Sequence, residues 1–89
     1  MVFPIHLSQK AIEDIPQLKR ENPKYPGKLW ELILDIFNNP FDGIGKPEPL
    51  KGDLQGWWSR RITDKHRLIY RLEEGILEIA SCFGHYGDR

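Results

Sequence analysis

The spacing of apolar residues changes near the middle of this chain of 89 residues, and this change limits the fold more than any other feature. Before Pro40, apolar residues recur at helical spacing, and after Gly56 they follow the pattern of short strands. The segment between, Pro40 to Pro49, is rich in glycine and proline and is predicted to be a loop. Two helices followed by closely spaced strands predict an α+β domain, with both helices packed on a small antiparallel sheet.

The segment before Asn22 is predicted to form a short strand and a helix. Val2 to Leu7 is apolar but interrupted by proline, so we expect an edge strand or a frayed start. Ser8 is a suitable N-cap for the helix that follows. The apolar face of this helix carries Ala11, Ile12 and Ile15. Pro16 lacks an amide N–H, so we expect the helix to end or kink there.

A second helix is predicted from about Pro26 to Asn38. Asn22 offers its N-cap, and Pro23 offers a residue suited to the first helical position. Trp30 lies on the apolar stripe of this helix, so we expect it in the core.

Three strands are predicted in the second half of the chain, at Trp57 to Thr63, Arg67 to Leu72 and Ile76 to Phe83. Short turns join them, as in antiparallel hairpins. Side chains alternate along a strand, so one of Trp57 and Trp58 points away from the core and is partly exposed.

Size and composition indicate one folded domain over residues 1–89. An apolar fraction of 39% and three tryptophans are typical of folded rather than disordered chains. No apolar run is long enough to cross a bilayer, and the chain opens without a charged-then-apolar leader. We therefore expect a cytoplasmic protein with no membrane partner. Cys82, the single cysteine, lies in an apolar run and is predicted to be a small core residue.

Charge is unevenly distributed, although the formal net charge is zero. Residues 46–71 carry seven basic and three acidic side chains, whereas the segments on either side carry more acidic than basic ones. A basic block between acidic flanks indicates a focused site for an anion. A solvated, charge-rich sheet face would show the same pattern.

Glu48 stands between Pro47 and Pro49, which both restrict the backbone. Its carboxylate is therefore presented from a stiff, extended segment. Such a group suits the removal of a proton from a bound substrate. Alternatively, Glu48 is an ordinary surface glutamate in a loop that the prolines order, with no role in chemistry.

Arginines follow in the first two predicted strands. Because side chains alternate, Arg60 and Arg61 point to opposite faces, and Arg67 can lie across from the first strand. Guanidinium groups are permanently charged and bind phosphate oxygens well. Ordinary cross-strand ion pairs are the alternative.

His85 and Tyr86 come after the last predicted strand. Imidazole can donate a proton near neutral pH, and a phenol can stack on a base or orient the scissile group. A terminus without function is the alternative. The histidines show no metal-ligand spacing, so no metal or cofactor is expected. A carboxylate, cations and an imidazole can together break a phosphodiester bond without a metal.

Several short motifs of the second half occur together in one known family. They are residues 40–43, 45–51, 54, 56–63, 66–70 and 85–86. On these motifs the chain resembles the YoeB/Txe family of toxins, within the RelE superfamily of bacterial toxin–antitoxin systems. The resemblance implies a RelE-like fold and a ribosome-dependent endoribonuclease that cuts mRNA by attack of the 2′-hydroxyl group. It also implies a cognate antitoxin as partner and leaves a homodimer open.

The resemblance implies roles for individual residues as well. By position, Glu48 matches the general base for the ribose 2′-hydroxyl group. Arg67 matches the group that stabilises the charge on phosphorus, and His85 matches the general acid for the leaving 5′-oxygen. The residues that match phosphate-binding or substrate-orienting positions are Lys51, Arg61 and Tyr86.

Two other functions remain open from the sequence. One is a non-catalytic protein of the same fold, either a gyrase inhibitor of the ParE branch or an attenuated toxin that acts only with its antitoxin. Such a protein has no need of Glu48, Arg67 and His85 together. The other is a free-standing ribonuclease, which fits less well because the chain lacks the positive net charge that drives unspecific binding to nucleic acid.

Overall fold

The computed structural model describes residues 4–84. Its elements in chain order are β1 (Ile5–Leu7), α1 (Gln9–Glu21), α2 (Tyr25–Asn38), β2 (Glu48–Pro49), a 3₁₀ turn (Gly52–Leu54), β3 (Trp58–Arg61), β4 (Arg67–Glu73) and β5 (Ile76–Ser81). The predicted α+β class, with two helices packed against one sheet, is confirmed. Val2, at the start of the predicted first strand, lies outside the described residues, as do His85 and Tyr86.

The sheet has five strands in the order β1-β5-β4-β3-β2, and it is mixed rather than wholly antiparallel. β1 pairs in parallel with β5, with Ile5 opposite Leu77. The other three pairs are antiparallel. Both helices and three strands separate β1 from β5 in the chain, which supplies the long connection that parallel pairing requires. The segment predicted as a loop contributes its last two residues, Glu48 and Pro49, to β2.

Both helices cover the same face of the sheet and form the core with it. The buried apolar residues of this core are Ala11, Leu18, Leu29, Leu32, Ile33, Ile36, Ile62, Leu68, Tyr70, Leu77, Ile79 and Cys82. The core position predicted for Cys82 is confirmed. The prediction for Trp30 is wrong, because its side chain is 48% exposed at the edge of the buried stripe of α2. Within residues 4–84, no helix is both long and apolar enough to span a membrane.

α1 continues past Pro16 to Glu21, so the predicted end of this helix is wrong. Ala11 and Leu18 are fully buried on either side of the proline. Burial of this continuous face outweighs the one backbone hydrogen bond that the proline cannot make. The predicted N-cap is confirmed, since the Ser8 hydroxyl oxygen accepts the backbone N–H of Ala11 at 3.0 Å.

α2 runs from Tyr25 to Asn38, so its predicted bounds, about Pro26 to Asn38, are confirmed, whereas the predicted N-cap at Asn22 and first helical position at Pro23 are wrong. Asn22 is the C-cap of α1 rather than the N-cap of α2. Its side-chain oxygen accepts the backbone N–H of Lys24 at 2.9 Å. Pro26, and not Pro23, lies in the first turn of α2. Proline is tolerated there because the amide N–H groups of the first turn have no acceptor within the helix.

Candidate active site

The sheet face that lies away from the helices brings three of the predicted site residues together. The strand register places Glu48 opposite Ser59 and Arg61 opposite Arg67. Opposed residues, and residues two apart on a strand, point to the same face. Glu48, Arg61 and Arg67 therefore share this face, with diagonal neighbours about 7–8 Å apart. The predicted opposite orientation of Arg60 and Arg61 is confirmed, as is the position of Arg67 across from the first of these strands.

Glu48 projects from the edge of the sheet with a free carboxylate. Its side chain is exposed, and no residue within the described range 4–84 forms a hydrogen bond or ion pair with it. The backbone beside it is held, because the N–H of Leu50 donates to the carbonyl of Trp57 at 2.9 Å. The flanking prolines restrict the same segment. Glu48 thus combines an ordered backbone with a carboxylate that is available to accept a proton.

Arg67 is anchored through one edge of its guanidinium group. Its Nη1 donates to the carbonyls of Thr63 at 2.8 Å and Asp64 at 3.1 Å, in the turn between β3 and β4. Its Nε and Nη2 bond to no other residue in the described part of the chain. The anchored edge limits the motion of the side chain, while the other edge is available for a bidentate anion.

Arg61 and Lys51 are more loosely held. Arg61 pairs with Asp64 at 3.5 Å, and the Asp64 side chain is 98% exposed. Exposed pairs of this kind contribute little to stability, so this guanidinium group can exchange its partner for another anion. Lys51 is exposed at the N-cap of the 3₁₀ turn after β2. No ion pair joins Lys51 to any residue between positions 4 and 84.

Arg60 faces the helices and is fully buried, a role that was not predicted from the sequence. Its guanidinium group is surrounded by acceptors. They are the carboxylate of Asp35 (2.5 Å), the carbonyls of Asn39, Asp42 (2.7 Å) and Ile44 (3.2 Å), and the hydroxyl of Tyr70 (3.0 Å). These bonds fasten the segment after α2, which leads to Glu48, onto the sheet. An arginine at an inward strand position between Trp58 and Ile62 was the signal for such a role.

The titration of the groups around Arg60 follows from these contacts. The hydrogen bond from Arg60, and a further one from the backbone N–H of Ile44, hold the pKa of Asp35 below its ordinary value of 3.8. Burial raises the pKa of the Tyr70 hydroxyl above 10.0. In the described part of the chain, no group of three or more His, Cys, Asp or Glu side chains is placed to hold a metal ion.

A second buried polar residue, His66, joins the helices to the end of the described chain. Its Nδ1 accepts the backbone N–H of Gly84 at 2.8 Å, and its Nε2 contacts the carboxylate of Glu21. The carbonyl of Gly84 in turn accepts the backbone N–H of Arg67 at 3.0 Å. Gly84 is therefore held beside Arg67, and His85 follows it in the sequence.

Comparison with known proteins assigns the chain to a family. The protein-family model described as the YoeB-like toxin of bacterial type II toxin–antitoxin systems matches residues 7–86. The chain belongs to the YoeB toxin family. Toxin YoeB of Synechocystis sp. is 58% identical over 82 residues, which cover 92% of this chain and 95% of that protein.

Two solved YoeB structures from Staphylococcus aureus share the fold of this YoeB-family chain. The YoeB–YefM complex has a TM-score of 0.86 at 41% identity and covers 97% of this chain and 100% of that chain. The YoeB dimer also has a TM-score of 0.86 at 41% identity, with coverage of 94% and 98%. The predicted resemblance to the YoeB/Txe family and to its RelE-like fold is confirmed.

Proposed function

We propose that this YoeB-family toxin inhibits translation by cutting mRNA on the ribosome, as a metal-independent endoribonuclease. One observation carries the proposal: the strand register gathers Glu48, Arg61 and Arg67 on the sheet face that lies away from the helices. A carboxylate available to take a proton thus lies beside two guanidinium groups available to an anion. Membership of the YoeB toxin family supports the same function.

The proposed reaction is a transfer of the phosphoryl group within the RNA chain. The Glu48 carboxylate accepts the proton of a ribose 2′-hydroxyl group, and the 2′-oxygen attacks the adjacent phosphorus. The bond from phosphorus to the 5′-oxygen breaks, and His85 gives its proton to that oxygen. The products are a 2′,3′-cyclic phosphate and a 5′-hydroxyl end, so protons and electrons balance without a cofactor.

The cationic residues hold the phosphate in this proposal. Arg67 stabilises the charge that develops on the phosphorus oxygens, where fixed donors have a large effect on rate. The phosphate-binding and substrate-orienting residues are Lys51, Arg61 and Tyr86. His85 and Tyr86 lie outside the described residues, so their roles rest on the family resemblance.

The ribosome supplies part of the substrate alignment in this proposal. Glu48 is exposed and the two arginines are only partly buried, and the formal net charge of the chain is zero. Both features favour weak binding to free RNA. Alignment of reacting groups can lower a barrier by about 7–11 kcal/mol, so a bound ribosome that presents the mRNA compensates for the shallow site.

The partners proposed for this chain are the ribosome with its mRNA and a cognate antitoxin. A YoeB of Staphylococcus aureus has been solved in complex with YefM, and this supports an antitoxin of that kind. The dimer of the same relative supports a homodimer as a further assembly. The proposed site of action is the cytoplasm, where translation occurs.

The test is cleavage of a defined mRNA by purified protein, with and without ribosomes, followed by mapping of the new 5′ ends. We expect cuts within the translated frame only when ribosomes are present. Glu48→Gln should lower the cleavage rate about 10²–10⁴-fold, as loss of a general base does. Glu31→Gln is the matched control, because Glu31 is exposed on α2 and should leave the rate unchanged.

Two results would contradict the proposal. One is equal cleavage of free and ribosome-bound mRNA, which would favour a free-standing ribonuclease. The other is growth arrest in cells that persists in Glu48→Gln without any mRNA cleavage. A DNA supercoiling assay would then test the gyrase-inhibitor alternative.

A further inference from the structure

We propose that His66 is a positioning residue that fixes the backbone at Gly84, the residue that precedes the proposed general acid, His85, in the sequence. This inference deepens the proposed nuclease function and rests on it. His66 lies in the turn before β4 and is fully buried. Its imidazole therefore acts through its contacts, not on the substrate.

The hydrogen bonds of the His66 ring assign one neutral tautomer. Nδ1 lies 2.8 Å from the backbone nitrogen of Gly84, and an amide can only donate, so Nδ1 must carry a lone pair. The ring hydrogen is then on Nε2, which faces the carboxylate of Glu21 at the end of α1. An imidazole with a hydrogen on Nδ1 cannot accept the bond from Gly84.

The ring is held in place on several sides. Its centroid lies 4.3 Å from that of Phe83, and the edge-on ring of Tyr25 lies at 6.2 Å. The backbone N–H of His66 donates to the hydroxyl oxygen of Thr63 at 3.0 Å. Glu21 is itself paired with Lys65 at 3.2 Å. The acceptor that His66 offers to Gly84 therefore has a fixed position relative to both helices.

Gly84 is bonded through both of its backbone groups to consecutive residues. Its N–H donates to the ring of His66, and its carbonyl accepts the N–H of Arg67 at 3.0 Å. Its φ of 88° lies in the left-handed region that favours glycine. The backbone of Arg67 and the residue that precedes His85 are thus held together by one short segment.

This arrangement has a consequence for rate, because catalysis depends on the alignment of reacting groups. A displacement of about 1 Å in a catalytic group can lower a rate about 10²-fold. Loss of the acceptor at Nδ1 releases the Gly84 N–H without removing any group that touches the substrate. We therefore expect a loss in the chemical step and no loss in ribosome binding.

Two substitutions separate the contacts of His66. In His66→Asn, the side-chain oxygen takes the place of Nδ1 and keeps the acceptor for Gly84, but the contact with Glu21 is lost. In His66→Gln, the amide nitrogen takes the place of Nε2 and keeps that contact, but the acceptor is lost. Each variant removes one hydrogen bond, so the two are matched controls for a loss of stability.

The experiment is single-turnover cleavage on mRNA-programmed ribosomes with saturating full-length protein, together with ribosome binding and amide hydrogen exchange at Gly84. We expect His66→Gln to cleave about 10²-fold more slowly than wild type, with unchanged binding and fast exchange at Gly84. His66→Asn should restore both the rate and the slow exchange. Equal losses in the two variants, in proportion to lost stability, would overturn the inference.

A measurement on the wild-type protein tests the same point without any substitution. The ¹⁵N chemical shifts of the His66 ring should show an unprotonated Nδ1 and a protonated Nε2 at neutral pH. A protonated Nδ1 would overturn the inference whatever the cleavage activity. Wild-type protein that leaves ribosome-bound mRNA uncut would overturn the proposed nuclease function, and with it the catalytic part of this inference.

Discussion

The buried ion pair of Arg60 and Asp35 gives the sharpest prediction about stability. Arg60 has no exposed side-chain surface, and Asp35 is 21% exposed. Asp35→Asn leaves the guanidinium charge buried without a countercharge, and such a loss costs about 3–5 kcal/mol. Three carbonyls and the Tyr70 hydroxyl still accept hydrogen bonds from Arg60. We therefore expect a loss of about 3 kcal/mol, at the lower end of that range.

Equilibrium unfolding in urea measures this loss. Asp64→Asn is the matched control, because it makes the same substitution in the exposed pair of Arg61 and Asp64. Exposed pairs contribute about 0–1 kcal/mol. The double variant Asp35→Asn/Arg60→Met removes the buried charge together with its partner. It should be less destabilised than the sum of the single variants, by a coupling of about 1–3 kcal/mol.

Asp35→Asn should also affect the proposed active site. Arg60 holds the segment between α2 and Glu48, so Asp35→Asn should raise amide hydrogen exchange in residues 40–48. It should also slow mRNA cleavage, although Asp35 lies on α2, on the other side of the sheet from Glu48, Arg61 and Arg67. An Asp35→Asn variant that is destabilised no more than Asp64→Asn would contradict this account of the buried ion pair.

Two further predictions concern titration and reactivity. The bond from Arg60 lowers the pKa of Asp35 in the folded state below its ordinary value of 3.8. The unfolded protein therefore binds a proton at this carboxylate more readily than the folded protein does. The free energy of unfolding should consequently fall as the pH drops below about 3.8. Acid titration of unfolding should show a smaller fall in Asp35→Asn, and an equal fall would contradict this cause. Burial raises the pKa of the Cys82 thiol to about 12, so the native protein should resist iodoacetamide at mildly alkaline pH and react once denatured. Rapid labelling of the folded protein, followed by mass spectrometry, would disprove that burial.

The elements that follow from local pattern were predicted well. The helical stripe of α2 and the two hairpins of the second half depend on residues close in sequence, because periodicity and turn residues act locally. Alternation along β3 likewise predicted that Arg60 and Arg61 face opposite sides. The hairpin turn predicted that Arg67 lies across from β3, and the register pairs it with Arg61. The relative placement of these arginines therefore follows from local pattern alone.

Predictions failed where burial by distant residues decides the outcome. Pro16 disfavours a helix locally, yet α1 continues because Ala11 and Leu18 are buried together against the sheet. Trp30 fits an apolar stripe locally, yet the sheet leaves it at the edge. The role of His66 depends on Gly84 and Glu21, which are 18 and 45 residues away in the chain. No local pattern predicts such contacts.

By itself, the sequence determined the class of the fold, its helices and hairpins, the kinds of chemical group in its second half and the family to which it belongs. Contacts between distant parts of the chain set the parallel pairing of β1, the binding of Arg60 to the segment leading to Glu48, and the hold of His66 on Gly84. The physical reason is that spacing and turn preference act between neighbours in the chain. A buried charge or a buried imidazole is stable only when acceptors from distant segments surround it.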